Sequence, residues 1–447
     1  MKKLIIAFIT SVLVSPFYNV ANAKTIEIEI DDDLQKIISA FKGISISGQM
    51  TAIYQTSNLN LTPGDLKDSS GNNLSANQLS NYNHKDGSGS FSADLIVEKK
   101  FNDNELFQID LQFASGQGVD ANLHGGAMVN NDIMEDANNH DQVYLARAFY
   151  ERGFSLSENY NLTFDIGKFG VNDFFDIGDE NSDQTTQFLN QAVANNGAFD
   201  YVQDLQGHGY TYGSRVGINN DLIGFDLGFF SSDSYPDNIN NKYSILAAVT
   251  LTPTFGKNLT GKYQLYVFSN KGEYAAFNDN GDFITKNANS DKINTKDNAD
   301  NLNKNGFGIS ITQALSDKIN IFGKYGKQDD DRDVRHYQDQ DESYMLGANF
   351  SGEFWSREND QIGIACQIGR LTGNHRKAHE KGYNSFFARS GIGAGNYADE
   401  IVLEAYYRLA LGNNSSLSFD AQHISNFYYS KKIGGVDFLA ARFNVRF

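Results

Sequence analysis

Three stretches of this sequence bring together the residue types from which chemistry is built. The longest runs from Phe169 to His208, where Asp173, Asp176, Asp179, Glu180 and Asp183 are interspersed with Phe174, Phe175, Phe188, Leu189, Phe199 and Tyr201. Carboxylates beside aromatic faces suit polyhydroxylated solutes, because rings stack on C–H surfaces while carboxylates accept hydroxyl hydrogen bonds. The second stretch, Gln328 to Glu342, carries enough carboxylates to attract calcium, yet it lacks the glycine-anchored order of an EF-hand and reads as a solvated acidic loop. The third is the pair His423 and Ser425, the beginning of a base-and-nucleophile set that no other residue completes. Phosphate-binding loops, dinucleotide fingerprints and paired metal-ligand motifs are absent from the sequence, and no cofactor is expected. The single cysteine, Cys366, excludes an internal disulfide framework.

What must position these residues is an exported chain. It opens with Lys2 and Lys3, an apolar run from Leu4 to Val14, and Ala21-Asn22-Ala23, the pattern of a signal peptide over residues 1–23. Its removal takes away two lysines and no acid, leaving 35 basic against 55 acidic residues and a formal charge of −20, which argues against nucleic acid as a partner. No later run reaches the roughly 18 to 20 apolar residues of a spanning helix. The chain is nevertheless rich in Phe (33), Tyr (23) and Gly (41) while its mean hydropathy is −0.45. Alternating strands joined by long polar loops produce that combination.

The last twelve residues, Val436 to Phe447, show the alternation most clearly. Leu439, Ala441, Phe443, Val445 and Phe447 share one face; Ala440, Arg442, Asn444 and Arg446 share the other. Segments of the same kind, roughly ten residues long, recur from Gly43 onward. They are preceded, over 24–42, by a segment with a short amphipathic helix marked by Leu34, Ile37, Ile38 and Phe41. About sixteen strands can be placed, with seven short and eight longer connections in alternation, and none of the four prolines interrupts one. The expected fold is all-β: a transmembrane antiparallel up-and-down β-barrel over 43–447, with short periplasmic turns and long extracellular loops.

In a barrel of this size the polar face lines water. Parity sends Asp94, Glu98, Asp110, Arg147, Glu151, Asp165, Arg215, Lys262, Lys324, Glu404, Arg408, Asp420, Arg442 and Arg446 to the lumen, most of them simply to solvate it. Cys366 falls on the lipid side, and Tyr54, Tyr243, Phe354, Trp355, Tyr428 and Tyr429 suit interfacial girdles. A solvent-waving loop has no use for the aromatics of 169–208, so that loop is expected to fold inward as a constriction, its acids facing lumen cations across a transverse field. The expected lining is Asp173, Asp176, Asp179, Glu180, Asp183 and Phe188 from the loop, opposed by Arg147, Arg215, Glu404 and Arg408.

Two pairs of patches carry a family resemblance: IGKFGVNDFFD (166–176) with TTQFLNQAVANN (185–196), and EIVLEAYYRLAL (400–411) with SFDAQHISN (418–426). In these the chain resembles the carbohydrate-selective porins of the OprB type. The resemblance implies a 16-stranded outer-membrane porin that passes glucose and other sugars by diffusion, and the constriction on loop 169–208. One departure is Asn426-Phe427, where a proline is expected. The terminal Phe447 would be the signal read by outer-membrane assembly machinery, with sugars and outer-membrane lipid as the other partners. A general non-selective porin, an outer-membrane lipid hydrolase using His423, and an adhesin or receptor barrel are the rival readings. The sequence leaves oligomeric state and ion preference open.

Overall fold

A computed structural model describes residues 4–6, 26–28, 42–66, 72–80, 87–116, 118–119, 128–130, 142–203, 209–233, 238–256, 259–284, 299–335, 338–383 and 396–447. Leu4–Ile6 pairs with Ile26–Ile28 outside the main sheet. The rest of the expected signal peptide, and the expected helix around 34–41, lie outside the described residues.

Sixteen antiparallel strands close into a barrel: β1 (Ile44–Ser57), β2 (Ser88–Asn102), β3 (Glu105–Gly116), β4 (Gln142–Ser155), β5 (Asn161–Gly170), β6 (Tyr210–Asn219), β7 (Ile223–Ser231), β8 (Tyr243–Leu251), β9 (Leu259–Tyr274), β10 (Asp300–Ser316), β11 (Ile319–Gln328), β12 (Glu342–Ser351), β13 (Gln361–Arg370), β14 (Glu400–Ala410), β15 (Ser415–Ser425) and β16 (Val436–Arg446). Each pairs with the next, and β16 returns to β1 with Phe443 opposite Ala52 and Arg446 opposite Gln49. Closure removes the sheet edge whose unpaired amides hydrocarbon does not tolerate. Gly48 and Phe447 complete the seam by exchanging two backbone hydrogen bonds of 3.0 Å.

Burial follows the alternation. Leu346, Leu439, Leu403 and Ile364 are exposed on the outer wall, whereas Arg442, Asn444, Gln367 and Ser310 are buried inside. Cys366 lies on the outer parity, opposite Leu346 and Leu403.

Three local features depart from the sequence expectation. Strict alternation through Arg147 and Glu151 would turn Val143 and Leu145 inward. Instead Asp110 faces Arg147 while Leu111 faces Leu145, so Ala146 is an extra residue in β4, and this bulge leaves Tyr144 and Arg147 both on the lumen side. Strands β9 and β10 extend as a ladder to Tyr274 and Asp300, reaching 16 and 17 residues where segments of roughly ten are expected. Their added residues put Lys271, Glu273, Asn301, Asn303 and Asn305 on the outer face, where the apolar alternation is lost. Tyr428 and Tyr429, expected in a girdle, are fully buried in the β15–β16 connection with left-handed φ angles of 60° and 56°. Asn426 shares that conformation at φ 56°, which proline's ring forbids.

The acidic stretch 328–342 is not the solvated loop expected of it. Asp333, Asp339 and Asp341 are fully buried. Asp341 holds His375 Nδ1 at 3.0 Å, Asp339 lies 3.6 Å from Nε2, and the ring stacks on Phe277 with centroids 5.6 Å apart. His375 belongs to the helix α1 (Gly373–Glu380), so one imidazolium ties together the β9–β10, β11–β12 and β13–β14 connections. Burial opposes its charge, but Asp341 and Asp339 push the pKa up to about 9. Because that lies above the roughly 6.5 of a free imidazole, its stabilisation is complete below about pH 6.5 and is lost as pH rises through 9. Hydrogen exchange in 371–383 is therefore expected to accelerate between pH 7 and 10 beyond its intrinsic rate, and His375→Gln should abolish the excess.

Candidate functional site

In the connection from β5 to β6, residues 171–209, the described residues 171–203 lie against the inner wall. It leaves β5 through a 3-10 turn, Val171–Asp173, and carries the one-turn helix α2 (Gln191–Ala194), which the Asn190 side chain caps by accepting from the Ala192 amide at 3.0 Å. Two apolar pads hold it. Phe175, Phe199, Tyr201 and Val202 pack with Phe230, Leu246, Tyr266 and Phe268 of β7–β9. Phe188 and Val193 pack with Phe322, Met345, Val402 and Tyr406 of β11–β14, the Phe188 ring centroid standing 4.9 Å from that of Tyr406. The wall makes room with glycine: a Cβ at Gly308 would collide with the Tyr266 ring, and one at Gly347 with Phe322.

Asp173, Asp176, Asp179, Glu180 and Asp183 each meet a wall partner. Asp173 takes Arg147 through both oxygens, at 2.7 and 3.0 Å. Asp176 is enclosed by Lys324 at 3.0 Å, the Ser310 hydroxyl at 2.6 Å and the Asn196 amide at 2.6 Å. Asp179 faces Lys262 at 3.1 Å, Glu180 accepts from Asn320 and Asn349 at 2.9 Å each, and Asp183 meets Arg446. Four of these acids, expected to face lumen cations, are thus in direct contact with them, and Glu180 meets two amides instead. Arg147 also holds Asp110 at 2.8 Å and lies 4.8 Å above the Tyr210 ring. Arg215 repeats the device, held by Asp165 at 2.9 Å and by Asp226, with Phe174 at 4.4 Å beneath its guanidinium.

Not every expected lining residue faces open space. Glu404 is 1% exposed and accepts from the Leu189 amide at 2.5 Å and the Asn190 amide at 3.2 Å, so it fastens the loop from below. Phe188 and Asp176 are likewise covered, at 0% and 2% exposure. Arg442, assigned to the lumen by parity, is buried and donates to the carbonyls of Gln184 and Gln187. Arg147, Asp183, Arg408 and Arg446 do border cavities on either side of the loop. Sequence reasoning missed the second inward segment, 128–130: the Val129 carbonyl accepts from Gln422 at 2.8 Å and the Met128 carbonyl from the Gln191 amide at 2.9 Å. No motif marks those three residues. His423 is exposed on the outer parity and its Nδ1 lies 2.6 Å from an Asp437 oxygen.

Asp176→Ala would strand the Lys324 ammonium in a dry site, at a cost of about 3–5 kcal/mol. The expected outcome is frequent conductance flicker in single-channel records as the loop detaches. Asp176→Ala with Lys324→Met should quieten the channel again, because no lone charge remains.

This geometry agrees with what the chain is similar to. The sequence pattern of the carbohydrate-selective porin, OprB family, matches residues 21–447. No curated sequence matches the chain. Among solved structures, the high-pH structure of Pseudomonas putida OprB superposes with a TM-score of 0.67 at 14% identity, covering 93% of this chain and 96% of that one, a likeness of fold. The low-pH structure of the same protein gives 0.49 at 11% identity, over 93% and 95%. Pseudomonas aeruginosa OccK11 gives 0.41 at 10%, over 90% and 95%. The chain therefore belongs to the OprB family of carbohydrate-selective porins, and it is an outer-membrane channel for sugar diffusion rather than an enzyme.

Proposed function

We propose that the connection 171–209 narrows the barrel to an eyelet and that its open rim selects sugars. The observation that carries this reading is the pairing of Asp173, Asp176, Asp179, Glu180 and Asp183 with wall residues, which supports a loop lying across the lumen and not above it. On this reading Arg147, Arg215, Arg408, Asp173, Asp179, Glu180 and Asp183 border the passage, while Asp176, Phe188 and Glu404 anchor the loop beneath it. Guanidinium groups locked between two carboxylates offer fixed donors and acceptors at little entropic cost, which favours solutes with several hydroxyls over solutes with one.

Reconstituted into liposomes, the protein should admit monosaccharides faster than amino acids of similar size; equal rates would make it a general porin. Deleting Asp173 to Asn190 should raise single-channel conductance and erase that preference, and unchanged conductance would mean that the loop does not set the width. Phe447, more than half exposed at the end of the closing strand, fits a residue read by the assembly machinery. Phe447→Ser should then lower the assembled yield in outer membranes without altering the conductance of the barrels that do assemble.

A further inference from the structure

Between the loop and the wall of β1–β4 lies a cavity of about 340 Å³, within the range of small-ligand sites. Its charged lining is Asp94, Asp110 and Asp183 against Arg147. The arginine is already engaged by Asp110 Oδ2 and by both oxygens of Asp173. Asp183 is engaged by Arg446. Asp94 receives neutral donors at close range, the Gln49 amide at 2.8 Å and the Gln112 side chain. Asp110 is 1% exposed, and its second oxygen, Oδ1, has no hydrogen-bond partner. A carboxylate oxygen placed in that way demands a donor. In the β2–β3 register Asp94 faces Gln112 and Ile96 faces Asp110, so the two carboxylates are diagonal neighbours on one face, about 7–8 Å apart at the backbone. One cation can lie between them.

The remaining lining is suited to a polyol. Gln112 donates to the Tyr210 hydroxyl at 2.9 Å and accepts from Tyr144, so amide and phenol groups are ordered around the same space. The contrast with the other side of the loop is sharp in charge: a second cavity of about 280 Å³ is lined by Arg408 and Arg446, with Asn359, Asn414 and Asn444 but no acid.

We propose that the cavity of Asp94 and Asp110 is a subsite for a hydroxylated cation, an amino sugar whose ammonium lies between the two carboxylates while its hydroxyls meet Gln112, Tyr144 and Tyr210. This rests on the reading that the loop borders the open passage, and it adds a charge preference which that reading does not require. Acid-lined constrictions favour cations in the same way.

The test measures glucosamine, glucose and glucuronate entry into liposomes carrying the full-length protein, slightly below neutral pH. Glucosamine is expected to enter about threefold faster than glucose, the size of a screened ion-pair attraction, and glucuronate more slowly than either. The glucosamine-to-glucose ratio should fall towards one in Asp94→Asn. It should also fall in Asp110→Asn, which additionally loosens Arg147, and agreement between the two variants separates charge from structure. Asp279→Asn, in a surface turn, should leave the ratio as it is. A ratio of one or less in the wild-type protein, or a ratio untouched by both variants, overturns the subsite. Failure of glucose itself to enter faster than amino acids would instead overturn the sugar-selective reading. Reversal potentials in a potassium chloride gradient add an independent readout, with cation preference expected in the wild-type protein and weakened in Asp94→Asn.

Discussion

A charge cut off from water inside the barrel persists only where ionic or hydrogen-bonding partners satisfy it, and that constraint joins the β5–β6 connection to the wall. Lys324 and Asp176 show it most plainly, since both side chains are almost wholly removed from water at 3.0 Å separation. Desolvation consumes most of what such a pair gains, so the pairs set the position of the loop more than they hold it there. Holding comes from the apolar pads. A fully buried phenylalanine contributes roughly 1.5–3 kcal/mol, and Phe175, Phe188 and Phe199 are all fully buried between loop and wall. The two contributions are complementary, because aromatic pads alone would tolerate sliding and the charge pairs do not.

How much of this was legible in the sequence follows from which solvent each face meets. Lipid imposes a strict demand on the outer face, so Leu439, Phe443 and Leu346 announce their side by type alone, and the sixteen strands and alternating connections could be read from that demand. Where the demand lapses, the reading lapses too. The ends of β9 and β10 towards Tyr274 and Asp300 carry polar residues on the outer face, and the alternation is lost there. The bulge at Ala146 is invisible because a buried alanine suits either face, although the odd spacing of Leu145 and Arg147 was a signal that could have found it.

The candidate site was legible by halves for a related reason. Parity states which way a side chain points but not what lies over it. Glu404 and Arg442 point inward as expected, yet the loop covers both, and they serve its backbone rather than a solute. Nothing local distinguishes them from Arg408, which borders a cavity two strands from Arg442. The glycines were the overlooked clue: Gly308 and Gly347 on the inner parity mark where rings lie flat on the wall, and hence where the pads are.

Anchoring and lining thus fall to different residues, and this separation has a functional consequence. Asp176 and Phe188 of the loop, with Glu404 of the wall, are covered where loop and wall meet, so exposed residues on the loop can change without releasing it. The rim itself is built on two similar devices, Arg147 between Asp110 and Asp173, and Arg215 between Asp165 and Asp226, each seated on an aromatic ring. With two carboxylates to one guanidinium, each device is rigid and carries an excess negative charge. On the proposed reading, a wall built in this way would hold polar groups still for a hydroxylated solute while biasing the passage against anions, linking sugar recognition and charge preference to one arrangement of side chains.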